Sequence, residues 1–186
     1  MGECHYLDGN VHLSKHMQVV EHLLDLTGIG RDRMAVRWLS AAEGRRFAEY
    51  VKEFSETTRQ LSPFDPRKFE LPLAAVWDAL TTSRLRWLMG IELQIIEKGN
   101  VFKEKIQEKD YWHLLQKAAE DEYHNALVLE VLKEGAQSVR EIALKTGLPV
   151  YSVSLRLGEL ERRHKAKFRG YDGNISLFSS MGTEAA

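Results

Sequence analysis

The N-terminal residues 2–10 contain the only cysteine of the chain, Cys4, followed directly by His5. A thiol beside an imidazole in a glycine-bounded loop is suited to binding a soft metal or to acting as a reactive thiolate. His12 and His16 follow at a spacing that places both on one side of a helix. Together with Cys4 and His5 they are one candidate zinc site. The alternative is that these two histidines flank an apolar stripe and are solvated.

Composition limits what this cysteine can do. One cysteine excludes a disulfide within the chain and fits a reducing compartment. It also cannot by itself hold an iron–sulfur cluster, which usually takes four ligands. The 186-residue chain has a formal net charge of -1, and no apolar run approaches the roughly 18–20 residues of a membrane span. We therefore expect a cytoplasmic protein that does not cross a membrane.

A second candidate site lies in the C-terminal third. Between residues 138 and 171 there are eight basic and three acidic side chains, and such a local excess suits phosphate contacts. The candidate nucleic-acid contacts are Tyr151, Ser152, Ser154, Arg156, Arg162, Arg163, Lys167 and Arg169. Docking to another protein is the alternative for this region.

The elements that position the N-terminal residues follow from hydrophobic spacing. Asn10 is expected to cap a helix that presents Leu13, Met17, Val20 and Leu24 on one face and stops at Gly28. Residues 34–39 are short and apolar and predict a buried strand. A capping box at residues 40–43 then opens a helix, whose apolar side carries Phe47, Val51, Phe54, Thr58 and Leu61. This predicts a truncated α/β helix-strand-helix segment.

Three segments are therefore predicted, in a mainly α (α+β) chain: 1–65, a helical connector over 66–120, and 121–180. The connector holds one long helix over about 71–97, with Trp77 and Trp87 packed in a core, and a second helix from about 101. In the last segment, a helix over 122–134, two further helices and a hairpin around Asp172-Gly173-Asn174 predict a winged helix-turn-helix.

Two groups of residues resemble a known family: Gly2-Glu3-Cys4-His5-Tyr6 with Gly9-Asn10, and Trp38-Leu39-Ser40-Ala41 with Glu43-Gly44 and Phe47. They are similar to the C-terminal part of the iron–sulfur delta subunit of methyl-viologen-reducing hydrogenase. That subunit links a hydrogenase to heterodisulfide reductase. The resemblance covers about the first third of the chain.

The resemblance implies an iron–sulfur electron-transfer accessory subunit, or a fragment of one, rather than a stand-alone catalyst. Hydrogenase and heterodisulfide reductase type subunits would be its partners. The full-length family holds a [2Fe–2S] cluster; Cys4 matches the last of its cysteine ligands, and His5, Tyr6, Gly9 and Asn10 would shape the loop. The chain is expected to be a truncated copy that does not hold a cluster alone. A winged-helix DNA-binding regulator that senses redox state or a metal through Cys4 is the alternative.

Overall fold

The computed structural model describes residues 9–181. These residues are mainly helical, with one small antiparallel sheet, so the predicted mainly α class is confirmed. The helices are α1 (Gly9–Leu26), α2 (Gly44–Gln60), α3 (Glu70–Thr81), α4 (Ser83–Leu93), α5 (Glu108–Lys133), α6 (Val139–Thr146) and α7 (Val150–Arg162). The strands are β1 (Gln137–Ser138), β2 (Ala166–Asp172) and β3 (Ile175–Ser180).

The described residues form two compact units. The first unit contains residues 9–69 together with Trp87–Gln116. The second contains Glu70–Arg86 and residues 117–181.

In the first unit, α1 ends as predicted but buries a different face. Gly28 has a positive φ of 76° and donates its N–H to the Asp25 carbonyl at 3.0 Å, which closes the helix end. The buried residues of α1 are Val19 and Leu23, whereas Leu13 is 47% exposed. The predicted face was wrong, because the fully buried apolar pair is Val19 and Leu23, one position away from the predicted Val20 and Leu24.

The predicted strand at residues 34–39 is wrong, since residues 34–40 belong to no strand or helix. Within the described part of the chain, the sheet contains only β1, β2 and β3. A lone strand cannot form a hydrogen-bonded ladder, so these residues stay outside any sheet. Asn10 as a helix cap was also wrong, because α1 already begins at Gly9.

The capping box predicted for residues 40–43 forms only in part. The helix begins at Gly44 with Glu43 as its N-cap, and no side chain caps it. The Glu43 carboxylate accepts the Ser40 N–H, but the Ser40 hydroxyl accepts from Ala42 rather than from Glu43. The reciprocal bond of a capping box is therefore missing.

Helix lengths in the middle of the chain also differ from expectation. The helix predicted over 71–97 is broken at Thr82, whose hydroxyl accepts the Leu85 N–H and caps α4. The two helices predicted after residue 101 are one helix, α5, of 26 residues. Trp77 and Trp87 are mostly exposed, so the prediction that they pack in a core was wrong.

The second unit is organised around the C-terminal sheet. The strand order is β1-β3-β2, with both pairs antiparallel. The capping box predicted at Ser138 is confirmed, since Ser138 and Glu141 exchange both bonds. The hairpin is confirmed as well: Gly173, with φ of 57°, lies in the turn between β2 and β3. The core combines residues of α5, α6, α7 and β2, namely Val128, Val131, Leu132, Ile142, Val153, Leu157, Leu160 and Ala166.

Candidate functional site

The candidate ligand loop reaches the described residues only at its end. Cys4, His5 and Tyr6 lie outside them. Gly9 and Asn10 form the start of α1. The Asn10 side-chain oxygen is buried and has no hydrogen-bond partner among the described residues. A buried amide oxygen without a partner loses free energy, so this position is suited to accept a hydrogen bond from a further group.

Asn10 lines a cavity of about 900 Å³ in the first unit. The other lining residues come from the segment before α2 and from its first two turns, and they are Val36, Arg37, Trp38, Leu39, Ser40, Ala41, Glu43, Arg46 and Tyr50. The two groups of residues that carry the family resemblance are far apart in sequence. The fold brings Asn10 of the first group, and residues 38–41 and Glu43 of the second, to this one cavity.

The turn that leads into α2 forms one rigid wall of the cavity. Ser40 donates its N–H to Glu43 Oε2 at 2.8 Å, and the Glu43 N–H is donated back to the Ser40 carbonyl at 3.0 Å. Arg46 donates to the other Glu43 oxygen at 2.8 Å. The Ser40 N–H, and secondarily the Arg46 guanidinium, lower the pKa of the Glu43 carboxyl. The ionised Glu43 carboxylate therefore stabilises this turn through its hydrogen bonds with Ser40 and Arg46.

Two guanidinium groups carry positive charge along this cavity. The Arg37 and Arg46 guanidinium carbons each lie 5.6 Å from the centre of the Tyr50 ring. Both contacts are within the range of cation–π attraction. Among the described lining residues, Glu43 is the one carboxylate, and it pairs with Arg46. The Arg37 guanidinium is thus suited to contact a further group of negative charge.

The described residues do not provide a metal centre of their own. No group of three or more His, Cys, Asp or Glu side chains in residues 9–181 is placed to hold a metal ion. His12 and His16 are neighbours as predicted, with 6.1 Å between ring centroids, and His16 Nε2 lies 3.4 Å from the Met89 carbonyl oxygen. With Cys4 as the only thiol, this chain does not fit a complete iron–sulfur cluster site.

The predicted nucleic-acid residues fall into two sets. Tyr151 is 74% exposed, and Ser154, Arg162 and Arg169 are also exposed, whereas Ser152 and Lys167 are half-buried. Arg156 and Arg163 lie instead in a network of ion pairs with α5. The fold therefore separates two arginines from the surface set with which the sequence grouped them.

The centre of that network is Glu122, whose side chain is 2% exposed. Arg163 Nη1 lies 3.0 Å from Glu122 Oε1, and Arg84 Nη1 lies 3.3 Å from the same oxygen. The neighbouring Asp121 accepts from Arg156 Nη2 at 2.6 Å. When an ion pair is buried to this extent, removal of one partner leaves the other as an unpaired buried charge, which destabilises the fold. Arg156 and Arg163 thus neutralise carboxylates of the second unit.

The sequence reasoning missed Asp121 and Glu122, although a signal was present. Glu122 stands within a helical stretch of buried apolar residues, with Ala119, Tyr123 and Ala126 on either side. A charge inside an apolar face needs an opposite charge nearby. The arginines Arg156 and Arg163, seven residues apart on α7 and just beyond it, were the available partners.

The N-terminal third of the chain is similar to subunits of known hydrogenases. A family model described as the delta subunit of methyl-viologen-reducing hydrogenase matches residues 1–62. The resemblance inferred from the sequence is therefore confirmed over that segment.

The curated relatives match over the same length. An iron-sulfur subunit of the F420-non-reducing hydrogenase of Archaeoglobus profundus is 40% identical over 70 residues, which are 38% of this chain and 49% of that protein. The corresponding iron-sulfur subunit of the vhu hydrogenase of Methanopyrus kandleri is 37% identical over 62 residues, 33% of this chain and 47% of that protein. This chain thus spans about half the length of these relatives.

A third relative belongs to a different enzyme. It is one of the subunits of the ferredoxin:CoB-CoM heterodisulfide reductase of Methanosarcina mazei, and it is 36% identical over 63 residues, which are 34% of this chain and 8% of that protein. No solved structure matches the chain. None of the helices found between residues 9 and 181 is long and apolar enough to cross a membrane.

Proposed function

We propose that the protein is an iron–sulfur electron-transfer accessory subunit, or part of one, in a complex of the hydrogenase–heterodisulfide reductase type. The observation that carries this proposal is the match of residues 1–62 to the delta-subunit family. The relatives named as hydrogenase and as heterodisulfide reductase subunits support both kinds of partner. The shared cavity of Asn10 and Trp38 supports a common role for the two family motifs.

In this proposal Cys4 is one ligand of a [2Fe–2S] cluster that cysteines of another polypeptide segment complete. His5 and Tyr6 shape the loop that presents it, and Gly9 and Asn10 begin the helix that follows. The Arg37 and Arg46 guanidinium groups favour negative charge near the cavity, as a thiolate-bound cluster would carry. The chain performs no bond-breaking chemistry itself. A cytoplasmic location stays a prediction, supported by the single cysteine.

Iron analysis tests the role of Cys4. The tagged chain is purified without oxygen from the cells in which it occurs, and iron and acid-labile sulfide are measured per chain. We expect iron in the wild-type preparation and a loss of that iron in C4S. Circular dichroism provides the control that C4S remains folded. Equal iron in both preparations would contradict the ligand role of Cys4.

We also propose that residues 121–180 form a winged helix-turn-helix, with 1–65 and 66–120 as the family segment and the connector. The order α5, β1, α6, α7, β2, β3 and the sheet order β1-β3-β2 favour this assignment. A second candidate function, nucleic-acid binding, is favoured by the exposed Tyr151, Arg162 and Arg169. One exposed aromatic side chain and two exposed cationic side chains are suited to contact the sugar-phosphate backbone of a nucleic acid.

A mobility-shift assay at low salt separates this candidate from protein docking. If the unit binds DNA as a regulator, the shift weakens in an R162A/R169A double variant and declines with added salt. Arg156 and Arg163 are unsuitable for this test because their loss disturbs Asp121 and Glu122. Absence of any shift at low salt would remove the second candidate.

A further inference from the structure

The helix α2 has an apolar side that none of the described residues buries. None of its residues is buried, and Phe47 and Val51 are 59% and 48% exposed. Phe54, one turn further along the same side, is half-buried. A helix with this spacing of apolar residues normally packs them against a neighbouring layer.

The segment that precedes α2 has the side-chain pattern of a strand without a partner. Met34, Val36 and Trp38 are half-buried, whereas Ala35, Arg37 and Leu39 are exposed. Met34 has extended dihedral angles, with φ of -134° and ψ of 141°. Alternation of this kind is typical of a strand with one covered face.

Among the described residues, the backbone of residues 35–39 is largely unpaired, and only the Val36 carbonyl accepts a hydrogen bond, from Arg37 Nη1 at 3.1 Å. Between described residues, no backbone hydrogen bond is donated by the N–H groups of residues 35–39. Unpaired N–H and C=O groups on an extended segment are a template for an added strand. The same segment is apolar enough to lie inside a sheet.

The segment and the helix form one surface within the first unit. Residues 36–41 share a cavity with the start of α2, where Arg46 and Tyr50 line it. Met34 and Ala35 share a second cavity, of about 270 Å³, with Phe54 and Thr57. The extended segment therefore runs beside α2 over several turns.

The relatives indicate what occupies this surface. The matched 70 residues are 49% of the Archaeoglobus profundus protein, so about as many residues of that relative lie outside the match. A second half of that size is sufficient to supply a strand and a covering layer. Its contacts would fall where residues 35–39 and the apolar side of α2 have no partner among the described residues.

We propose that residues 34–40 and the apolar side of α2 are the docking surface for the remaining half of a delta-subunit domain. That half adds a β-strand beside residues 34–40 and covers Phe47 and Val51. The inference rests on the proposed function for the identity of the partner. It deepens that function by naming the surface at which the rest of the delta-subunit domain joins this chain.

The full chain is titrated with the part of the Archaeoglobus profundus iron-sulfur protein that lies outside the matched 70 residues. Binding is followed by calorimetry, and amide hydrogen exchange is measured for residues 34–40. We expect a 1:1 complex in which these amides become protected. The two proteins are also co-expressed, so that a fragment which folds only on its partner is still captured.

Two variants localise the contact. F47S/V51S removes the apolar side and is expected to weaken binding about tenfold or more. A35P removes one pairing N–H, and Met34 already has the extended conformation that precedes proline; it is expected to abolish the protection. The control L144S changes a side chain that is 86% exposed in the second unit and should bind normally.

The outcomes separate this surface from the proposed function. No complex with the fragment by titration or co-expression overturns the docking surface, as does binding that F47S/V51S and A35P leave unchanged. A third outcome is that the chain does not bind the fragment but forms a homodimer, which F47S/V51S abolishes. That result also overturns the proposed docking surface, because its occupant is then a second copy of the chain. If the chain binds the fragment, but native preparations contain no hydrogenase or heterodisulfide reductase subunits, the docking surface is supported and the proposed function is contradicted.

Discussion

Asn10, in the first turn of α1, and Trp38, in the extended segment before α2, line the same cavity of about 900 Å³. Each belongs to one of the two residue groups by which the chain resembles the delta subunit. Trp38 is half-buried, so its indole senses a change of occupancy on this side of the first unit.

The first prediction uses that indole as a reporter. Binding of the complementary fragment excludes water from Trp38, and we expect its fluorescence emission to shift to shorter wavelength. The same titration of W38F measures the contribution of the other tryptophans. An equal shift in W38F would show that the binding occurs away from this cavity.

The ion pair of Lys15 and Glu92 is expected to stabilise the first unit. Lys15 Nζ lies 3.0 Å from Glu92 Oε1, and the Glu92 side chain is 5% exposed. Replacing Lys15 with Met leaves a buried carboxylate without this partner and should lower the free energy of unfolding by about 3 kcal/mol. Urea denaturation measures the change, and K52M, at an exposed pair, is the control with an effect below about 0.5 kcal/mol.

Arg163 and its neighbour Arg162 provide a matched pair in the second unit. R163A removes a partner of the buried Glu122 and should cost about 3 kcal/mol of unfolding free energy. R162A changes an exposed side chain and should cost less than about 0.5 kcal/mol. If the two variants unfold at the same urea concentration, the Glu122 network does not stabilise the fold.

His124 predicts a pH dependence. Burial lowers the pKa of His124 below its ordinary value of 6.5. The unfolded chain therefore binds this proton more readily than the folded chain does. The associated stability is complete above pH 6.5 and is lost as the pH falls through the lower folded-state pKa. Unfolding measured between about pH 7.5 and about pH 5 should lose less stability in H124N, and an identical profile would exclude this group.

Local signals in the sequence predicted the ends of several elements but not their packing partners. Gly28, Ser138 and Gly173 act through their own dihedral angles or hydrogen bonds, so each was predictable from residue type. Residues 34–39 have strand composition, but a strand also needs a neighbour, and none of the described residues supplies one. The strand prediction therefore failed because the neighbouring strand is missing, and the proposed docking would supply that strand.

The same distinction applies to the candidate sites. The two family motifs were identified from residue types, but the cavity that unites Asn10 with Trp38 depends on tertiary structure. Arg156 and Arg163 were grouped with surface cations because the sequence does not show which side of α7 faces α5. Their pairing with Asp121 and Glu122 required the packed unit.

The central claim is that this chain is an accessory subunit of a hydrogenase–heterodisulfide reductase type complex. The most direct test is anaerobic affinity purification of the tagged chain from the cells in which it occurs, followed by mass spectrometry of the bound proteins against an untagged control. We expect hydrogenase or heterodisulfide reductase subunits to be enriched with the wild-type chain and depleted with F47S/V51S. Enrichment of neither class above the untagged control would contradict it.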